Sequence, residues 1–274
     1  IYVASSIPFW LSSLTGISLV FNNQEVRQVH LAFGLVLAML LYPFGKNSTH
    51  TIPWYDILLA LLGASSCFYL LVFKDSIADR AGLPTTSDLI ISTIGLCCLA
   101  LAVYRALGLP LLVVAGVFLS YVFFGDKSFI PEVIQWKGAS LNKALWHFWM
   151  QTEGVFGVAL GVSSSMIFLF VLFGALLERA GAGQYFIQLA FALLGHFRGG
   201  PAKAAVVASG LSGLYSGSSI ANVVTTGTFT IPLMKKTGFT AEKAGAVEVA
   251  SSTNGQLTPP VMGAAAFLIA EFSR

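Results

Sequence analysis

Long apolar stretches alternate along the chain with short polar or Gly/Pro-rich segments. Before residue 125 these stretches are Ile1–Phe21, Val29–Phe44, Trp54–Phe73, Asp88–Tyr104 and Leu109–Phe124. A helix needs about 20 mostly apolar residues to cross the hydrocarbon core of a bilayer, because each residue adds about 1.5 Å along its axis. The pattern predicts a polytopic membrane protein built from helices that span the lipid bilayer.

The pattern changes between Gly125 and Gln151, where charged and aromatic residues are mixed. Such a mixture is typical of a helix that lies in the membrane interface rather than across the membrane. We therefore predict a membrane domain at 1–125, an interfacial linker at 126–150 and a second membrane domain at 151–274.

Two apolar stretches follow the linker. Val155–Leu177 is long enough to form a sixth span and ends at Glu178-Arg179. Gly183–Phe197 contains only 15 residues, two of them glutamines, so we predict that it lies in the interface. A short tilted span is the alternative for this stretch.

A first interruption of the helical pattern lies at Ser216-Gly217-Ser218-Ser219. It separates Pro201–Tyr215 from Ile220–Met234, and each of these apolar stretches has 15 residues. As a helix, either would be about 22 Å long and too short to cross the bilayer. Basic residues at both outer ends place those ends on one side of the membrane. The pattern predicts a re-entrant helical hairpin at 200–237 whose tip lies at mid-membrane depth, where irregular backbone needs a protected polar cavity.

A second interruption is predicted within a broken helix at 240–272. Ala241–Thr253 is compatible with a helix, Asn254-Gly255 is a typical left-handed stop, and Pro259-Pro260 suits the first turn of the next helix. The C-terminus of a half-helix offers carbonyl groups to a cation, and the N-terminus offers N–H groups to an anion. Two interruptions rich in hydroxyl and amide groups favour a transport site at the membrane midplane.

Each of these features also has a purely structural interpretation. Small residues such as Gly213 and Gly217 permit close packing of helices in lipid, and a threonine such as Thr225 can bond to its own helical turn. Glu248 lies in an apolar run, where an ionisable group is costly, so it is a functional candidate. The alternative is that Glu248 pairs with Lys243 or lies near the aqueous boundary.

Composition narrows the class of protein further. Of the 274 residues, 56% are hydrophobic and 10% are charged, whereas soluble domains have about 25% charged residues. An ordinary soluble enzyme is therefore excluded. The net charge of +3 is scattered along the chain, so no nucleic-acid-binding surface is predicted. The three cysteines lack the spacing of a metal site or a disulfide framework.

The second domain contains four distinctive motifs, which are Gly199–Lys203, Ser216–Thr228, Ala244–Glu248 and Gly255–Gly263. Together they resemble the large membrane subunit of tripartite ATP-independent periplasmic (TRAP) transporters. These motifs and Thr152–Gly157 are most similar to the fused TAXI branch, in which a four-helix small subunit precedes the large subunit on one chain. The resemblance implies that residues 1–125 form a small-subunit-like four-helix domain with a connecting span.

The resemblance implies a multi-pass symporter of the bacterial inner (cytoplasmic) membrane, with an elevator-type fold like that of the ion-transporter superfamily. Transport in this family is usually driven by sodium. By the resemblance, a periplasmic substrate-binding protein of the TAXI type is expected to deliver a small organic anion such as a carboxylate. No cofactor other than the coupling ion is implied. The chain ends at Arg274, and by the resemblance it holds only the first inverted repeat of the large subunit and is truncated at both ends.

The resemblance and the two interruptions together select the candidate binding residues. Candidates for substrate and ion binding are Ser216, Gly217, Ser218, Ser219, Ala221, Asn222, Thr225, Thr253, Asn254, Gly255 and Thr258. Sodium is expected at Ser216, Ser218, Asn222 and Asn254, and Glu248 is a candidate coupling acid. The sequence departs from the branch at two positions, since Asn254 stands where glycine is common and Thr258 where methionine is common. Both departures bear on ion coordination or substrate preference.

Two other classes of protein remain as alternatives. Gly210-Leu211-Ser212-Gly213 matches the Gly-x-Ser-Gly motif of rhomboid intramembrane proteases. These enzymes need a histidine on a later helix to activate the serine, and no histidine follows His196. A channel or a passive scaffold subunit is the other alternative. We predict a transporter component and not an enzyme.

Overall fold

The computed structural model describes residues 21–43, 52–80, 82–127 and 130–273. These residues form helices and the turns that join them, so the described chain has the predicted all-helical class. The predicted span Ile1–Phe21 lies outside the described residues apart from Phe21. The chain divides into two compact units, Ile1–Gly161 and Val162–Arg274.

Helices α1 to α6 belong to the first unit. They are α1 Asn23–Leu41, α2 Trp54–Val72, α3 Lys74–Asp79, α4 Thr86–Leu107, α5 Leu109–Phe124 and α6 Leu141–Leu145. Helix α6 continues as a π-helical turn over Trp146–Met150, and a 3-10 helix covers Glu132–Ile134.

The start of α1 is fixed by a cap, because Glu25 accepts a hydrogen bond from the N–H of Asn22 at 2.8 Å. This cap starts α1 before Val29, the predicted beginning of the span.

The core of the first unit surrounds Trp149, whose side chain is fully buried. Its indole Nε1 donates a hydrogen bond to the carbonyl of Ser66 on α2 at 3.4 Å. Its ring packs on α4 at Gly95, where any Cβ would overlap the ring. Trp149 belongs to the segment predicted as an interfacial linker. Part of that segment therefore packs into the first unit, because a glycine on α4 leaves space for the indole.

A buried ion pair connects α2 and α4. The Nη1 atom of Arg105 donates to Oδ1 of Asp56 at 2.7 Å, and the two side chains are 4% and 0% exposed. The same nitrogen lies 3.3 Å from the carbonyl oxygen of Tyr42, which directly follows α1. Arg105 therefore joins three helices of the first unit.

The remaining helices form the second unit, and the first of them, α7, begins just before the boundary between Gly161 and Val162. They are α7 Val158–Arg179, α8 Ala182–Leu194, α9 Gly200–Ser212, α10 Ser219–Lys236, α11 Ala241–Leu257 and α12 Ala264–Phe272. Among the described helices, α2, α4 and α7 are long and apolar enough to cross a membrane. These three match predicted spans, and α8 occupies most of the segment predicted to lie in the interface.

The predicted end of the helix before the second interruption is wrong. We expected Asn254-Gly255 to stop the helix, but α11 continues to Leu257. Gly255 faces Asn222 of α10, and a Cβ at Gly255 would lie 2.6 Å from its Nδ2 atom. The glycine thus serves close packing between two helices and not a left-handed turn.

The predicted place of the two prolines is also wrong. Pro259-Pro260, joined by a cis peptide bond, lie between the helices, and α12 begins only at Ala264. A proline disfavours the helical conformation at the residue before it. Thr258 accordingly has extended backbone and ends α11.

Replacing Arg105 with alanine would leave the buried carboxylate of Asp56 without its partner. Because an uncompensated buried charge is costly, we expect Arg105→Ala to lower the free energy of unfolding by about 3–5 kcal/mol. Unfolding of the purified protein in detergent micelles measures this loss. Lys127→Ala is the control, since Lys127 and its partner Asp126 are exposed and 3.8 Å apart. Equal losses in the two variants would contradict a special role of the buried pair.

Candidate functional site

The first interruption is a non-helical tip at residues 213–218, between α9 and α10. Helix α10 restarts at Ser219, and its cap is Ser218, whose Oγ accepts a hydrogen bond from the N–H of Ala221 at 3.3 Å. Within the described part of the chain, the carbonyl oxygens of residues 213–217 accept no backbone hydrogen bond. Free carbonyls at a helix C-terminus are the groups that coordinate cations in transporters with broken helices.

The second interruption, which we call the break, covers residues 258–263 between α11 and α12. Met262 has a φ of 41°, a left-handed conformation that non-glycine residues rarely adopt. Two backbone hydrogen bonds hold it: Met262 donates to the carbonyl of Thr258 at 3.3 Å, and Gly263 donates to the carbonyl of Gln256 at 2.8 Å. The break is therefore an ordered turn.

The tip and the break are in direct contact. A Cβ at Gly217 would overlap the carbonyl oxygen of Met262, and a Cβ at Gly213 would lie 2.9 Å from Cβ of Thr258 in the break and 2.7 Å from the Cα of Gly255 near the end of α11. The Nε2 atom of Gln256 donates a hydrogen bond to Oγ of Ser219 at 3.1 Å. The structure thus brings together the two interruptions that the sequence predicts, and glycines permit the close approach of their backbones.

Asn222 lies one turn into α10 and is 1% exposed. Its Nδ2 atom donates to the carbonyl and to Oγ of Ser209 on α9, at 3.1 and 2.8 Å. Its Oδ1 atom has no hydrogen-bond partner among the described residues, and the same holds for Oγ of Ser252 on α11. Ser252 shares a face of α11 with Gly255, which packs on Asn222. Buried oxygens without donors are suited to bind a cation.

A cavity of about 360 Å³ lies beside the tip and the break. Its walls include Phe170 and Glu178 of α7, Ser216 of the tip, and one residue at the N-terminal end of each of two helices. These are Ser218, the cap of α10, and Ala264, the first residue of α12. Two helix N-termini therefore border one cavity whose volume suits a small organic molecule.

Several other candidates are engaged within their own helices. The hydroxyls of Thr225, Thr253 and Thr258 donate to backbone carbonyls four residues earlier, at 2.9, 3.3 and 2.8 Å. Ala221 and Asn254 are exposed. The structure does not gather these side chains at the contact between tip and break, although Thr258 packs on Gly213 through its Cβ.

Glu248 is fully buried between α10 and α11. Its two carboxyl oxygens lie within hydrogen-bonding distance of the hydroxyls of Thr226 and Thr230, both on α10. The alternative of a pair with Lys243 is not found, since Lys243 is exposed and its nitrogen is not within 4.0 Å of the Glu248 oxygens in the described chain.

Three buried residues of this region were not predicted from the sequence: Ser209, Thr230 and Ser252. Thr230 lies four residues after Thr226, so the two hydroxyls share one face of α10. The four-residue spacing of Asn222, Thr226 and Thr230 could have predicted this from the sequence, because it places the three side chains on one face of α10. For Ser209 and Ser252 the sequence carries no signal, since their roles depend on which helices pack together.

Apolar helices of spanning length, together with two helix interruptions that meet, are features of helical membrane transporters. Residues 95–274 match the family described as "Tripartite ATP-independent periplasmic transporter, DctM component". The match covers more than half of the chain, and the chain belongs to this family of transporter permeases, which are not enzymes. Consistent with this, the hydroxyl of Ser212, the serine of the rhomboid-like motif, is buried and donates to the carbonyl of Ala208 at 2.9 Å.

Individual relatives are similar to part of the chain. The C4-dicarboxylate TRAP transporter large permease proteins DctM of Vibrio cholerae and Rhodobacter capsulatus are 40% and 37% identical over 91 residues, which is 33% of this chain and 20% and 21% of theirs. The ectoine/5-hydroxyectoine TRAP transporter large permease protein UehC of Ruegeria pomeroyi is 27% identical over 168 residues, 60% of this chain and 35% of its own. The chain thus spans about a fifth to a third of these curated relatives. No solved structure matches it.

A methyl group at Gly217 should separate the tip from the break, because no space remains beside the Met262 carbonyl. We expect Gly217→Ala to lower the free energy of unfolding by about 1–3 kcal/mol, as other overpacked sites do. The control is Gly210→Ala on α9, where nothing lies within 4 Å of the added Cβ. That variant should be neutral or more stable by up to about 1 kcal/mol. Unfolding in detergent measures both, and a neutral Gly217→Ala would contradict the close contact.

Proposed function

We propose that this chain is part of a TRAP permease that takes up a small organic anion, such as a carboxylate, together with a cation, which we take to be sodium. The observation that carries the proposal is the direct contact between tip and break, with a cavity beside it that two helix N-termini border. Helix N-termini favour anions, and free carbonyls favour cations. Both kinds of group occur within this one region of the second unit.

The cation site that we propose lies at the tip. It would use backbone carbonyls of residues 213–217, which accept no backbone hydrogen bond in the described chain, and the free Oδ1 atom of Asn222. Ser216 would take part through its carbonyl. Ser218 Oγ accepts only one hydrogen bond, so it retains a lone pair. The exposed side chain of Asn254 has the weakest support among the four proposed sodium ligands.

The anion site that we propose is the cavity of about 360 Å³. Ser218 and Ala264 place the positive ends of α10 and α12 at its wall. Glu178 also lines it, and a carboxylate there would favour a cation near the bound anion. Two of the relatives carry C4-dicarboxylate in their names and a third carries ectoine, so small carboxylates are suitable first substrates to test.

Further parts of the proposal concern the membrane and the partners. We propose that α9 and α10 form a re-entrant hairpin in an elevator-type fold, in the bacterial inner membrane. The position of the charged residues Lys203, Lys235 and Lys236 at the helix ends opposite the tip supports this. We also propose a periplasmic binding protein of the TAXI type as partner, which is supported by residues 1–94 preceding the part of the chain that matches the large permease family, as a fused small subunit would.

Sodium binding can be tested without knowing the substrate. If sodium binds the folded permease that contains this chain, it should raise the unfolding temperature relative to choline, since a ligand at 100 times its Kd adds about 2.7 kcal/mol. Asn222→Ala and Ser218→Ala should reduce this shift. Thr237→Ala is the control, because Thr237 is exposed after the end of α10 and bonds only to its own helix.

Transport itself is tested in proteoliposomes that contain the permease and its periplasmic binding protein, with labelled C4-dicarboxylates and ectoine as probes. We expect uptake that depends on an inward sodium gradient and falls at least tenfold in Asn222→Ala. Uptake that does not depend on sodium, or that is equal in Asn222→Ala and Thr237→Ala, would contradict the proposed cation site.

A further inference from the structure

The basic residues of the second unit that follow α8 gather at one end of α9, α10 and α11. Lys203 is the fourth residue of α9, Lys235 and Lys236 are the last two residues of α10, and Lys243 is the third residue of α11. Arg198 lies two residues before the start of α9. All five side chains are exposed. We call these five residues the basic cluster.

The packing of the three helices brings the cluster together. Met234 and Ala244 belong to one buried hydrophobic cluster, and Ala202 packs against it. Each of these three residues is the direct sequence neighbour of a lysine, and those lysines are Lys235, Lys243 and Lys203. Because the three apolar residues meet, the three lysines emerge from the same end of the helices.

Little at this end neutralises the cations. The only acidic residue between positions 195 and 247 is Glu242, which is exposed. In the described chain no basic side chain of the cluster has a carboxylate oxygen within 4.0 Å. Residues 204–234, which include the tip, contain no charged residue. The positive charge of this hairpin is therefore confined to the end opposite the tip.

Exposed apolar side chains border the basic cluster. Phe197 is 51% exposed, and its ring centroid lies 6.0 Å from Nζ of Lys203. Phe229 and Leu233, in the last two turns of α10, are 55% and 37% exposed. Lysine and arginine beside exposed apolar surface are typical of helix ends at the membrane–water boundary, where the aliphatic stems lie along hydrocarbon and the charges reach the headgroups.

We propose that the basic cluster is a binding site for anionic phospholipids, whose phosphate groups lie between the five cationic side chains and whose acyl chains cover the apolar border. Groups of Lys and Arg next to membrane helices attract anionic headgroups. An acidic protein segment would match the charge alone, whereas a phospholipid matches both the charge and the exposed apolar side chains. The proposal is independent of the transported substrate and of the coupling ion.

Thermal unfolding of the permease that contains this chain tests the proposal in neutral detergent micelles. A ligand that binds the folded state raises the unfolding temperature. We expect phosphatidylglycerol to raise it more than phosphatidylcholine, and we expect this difference to shrink at about 1 M salt, where the Debye length is about 3 Å. Lys235→Gln, Lys236→Gln and Lys243→Gln combined should weaken the apparent affinity for phosphatidylglycerol at least about tenfold.

The matched control removes three exposed lysines from the first unit, by combining Lys127→Gln, Lys137→Gln and Lys143→Gln. This variant loses the same net charge as the first one, so it should keep the response to phosphatidylglycerol. Equal losses in the two triple variants would show attraction by net charge alone and would contradict a site at the basic cluster.

Other results identify the remaining alternatives. Equal unfolding temperatures with the two lipids in the unmodified protein would overturn the proposal, and this comparison needs no variant to fold. Inorganic phosphate or polyglutamate that reproduced the effect of phosphatidylglycerol would indicate a free anion or an acidic protein as the partner, and would also overturn it. A permease that binds phosphatidylglycerol at the basic cluster but shows no sodium-dependent uptake would contradict the proposed function alone.

Discussion

A peptide N–H or C=O group in hydrocarbon without a partner is costly, so a helix that stops inside a membrane must be covered by other protein. In the second unit the two helix interruptions cover each other by direct backbone contact. Gly217 lies against the carbonyl of Met262, and Gly213 lies against Gly255. Because no side chain stands between the two segments, the tip and the break support each other. The cavity beside them and the free carbonyls of the tip both depend on this contact.

The two units treat buried charge differently. In the first unit Asp56 and Asp88 each have an arginine partner, and such pairs fix the position of helices since separation leaves a buried charge. In the second unit the buried polar groups are mainly neutral oxygens, including Asn222 Oδ1 and Ser252 Oγ.

The sequence predicted the helical class, the spans at α2, α4 and α7 and both interruptions, because these depend on local apolar length and on glycine, serine and proline. It failed at the end of α11. Asn254-Gly255 has the composition of a helix stop, but the packing of Gly255 against Asn222 keeps the helix going to Leu257. It also did not show that Trp149 is buried, since an amphipathic aromatic residue suits an interface and a core equally well.

The sequence by itself determined where the chain is apolar, where its helices are interrupted and which polar residues stand near the interruptions. Only the tertiary structure decided which of those residues meet. Asn222 turns toward Ser209, Glu248 lies between two threonines, and Thr253 and Asn254 face outward. The reason is that local backbone preferences determine where a helix is interrupted. A binding site, in contrast, is assembled from side chains that are far apart in the chain. The directions of those side chains follow from the packing of α9, α10 and α11.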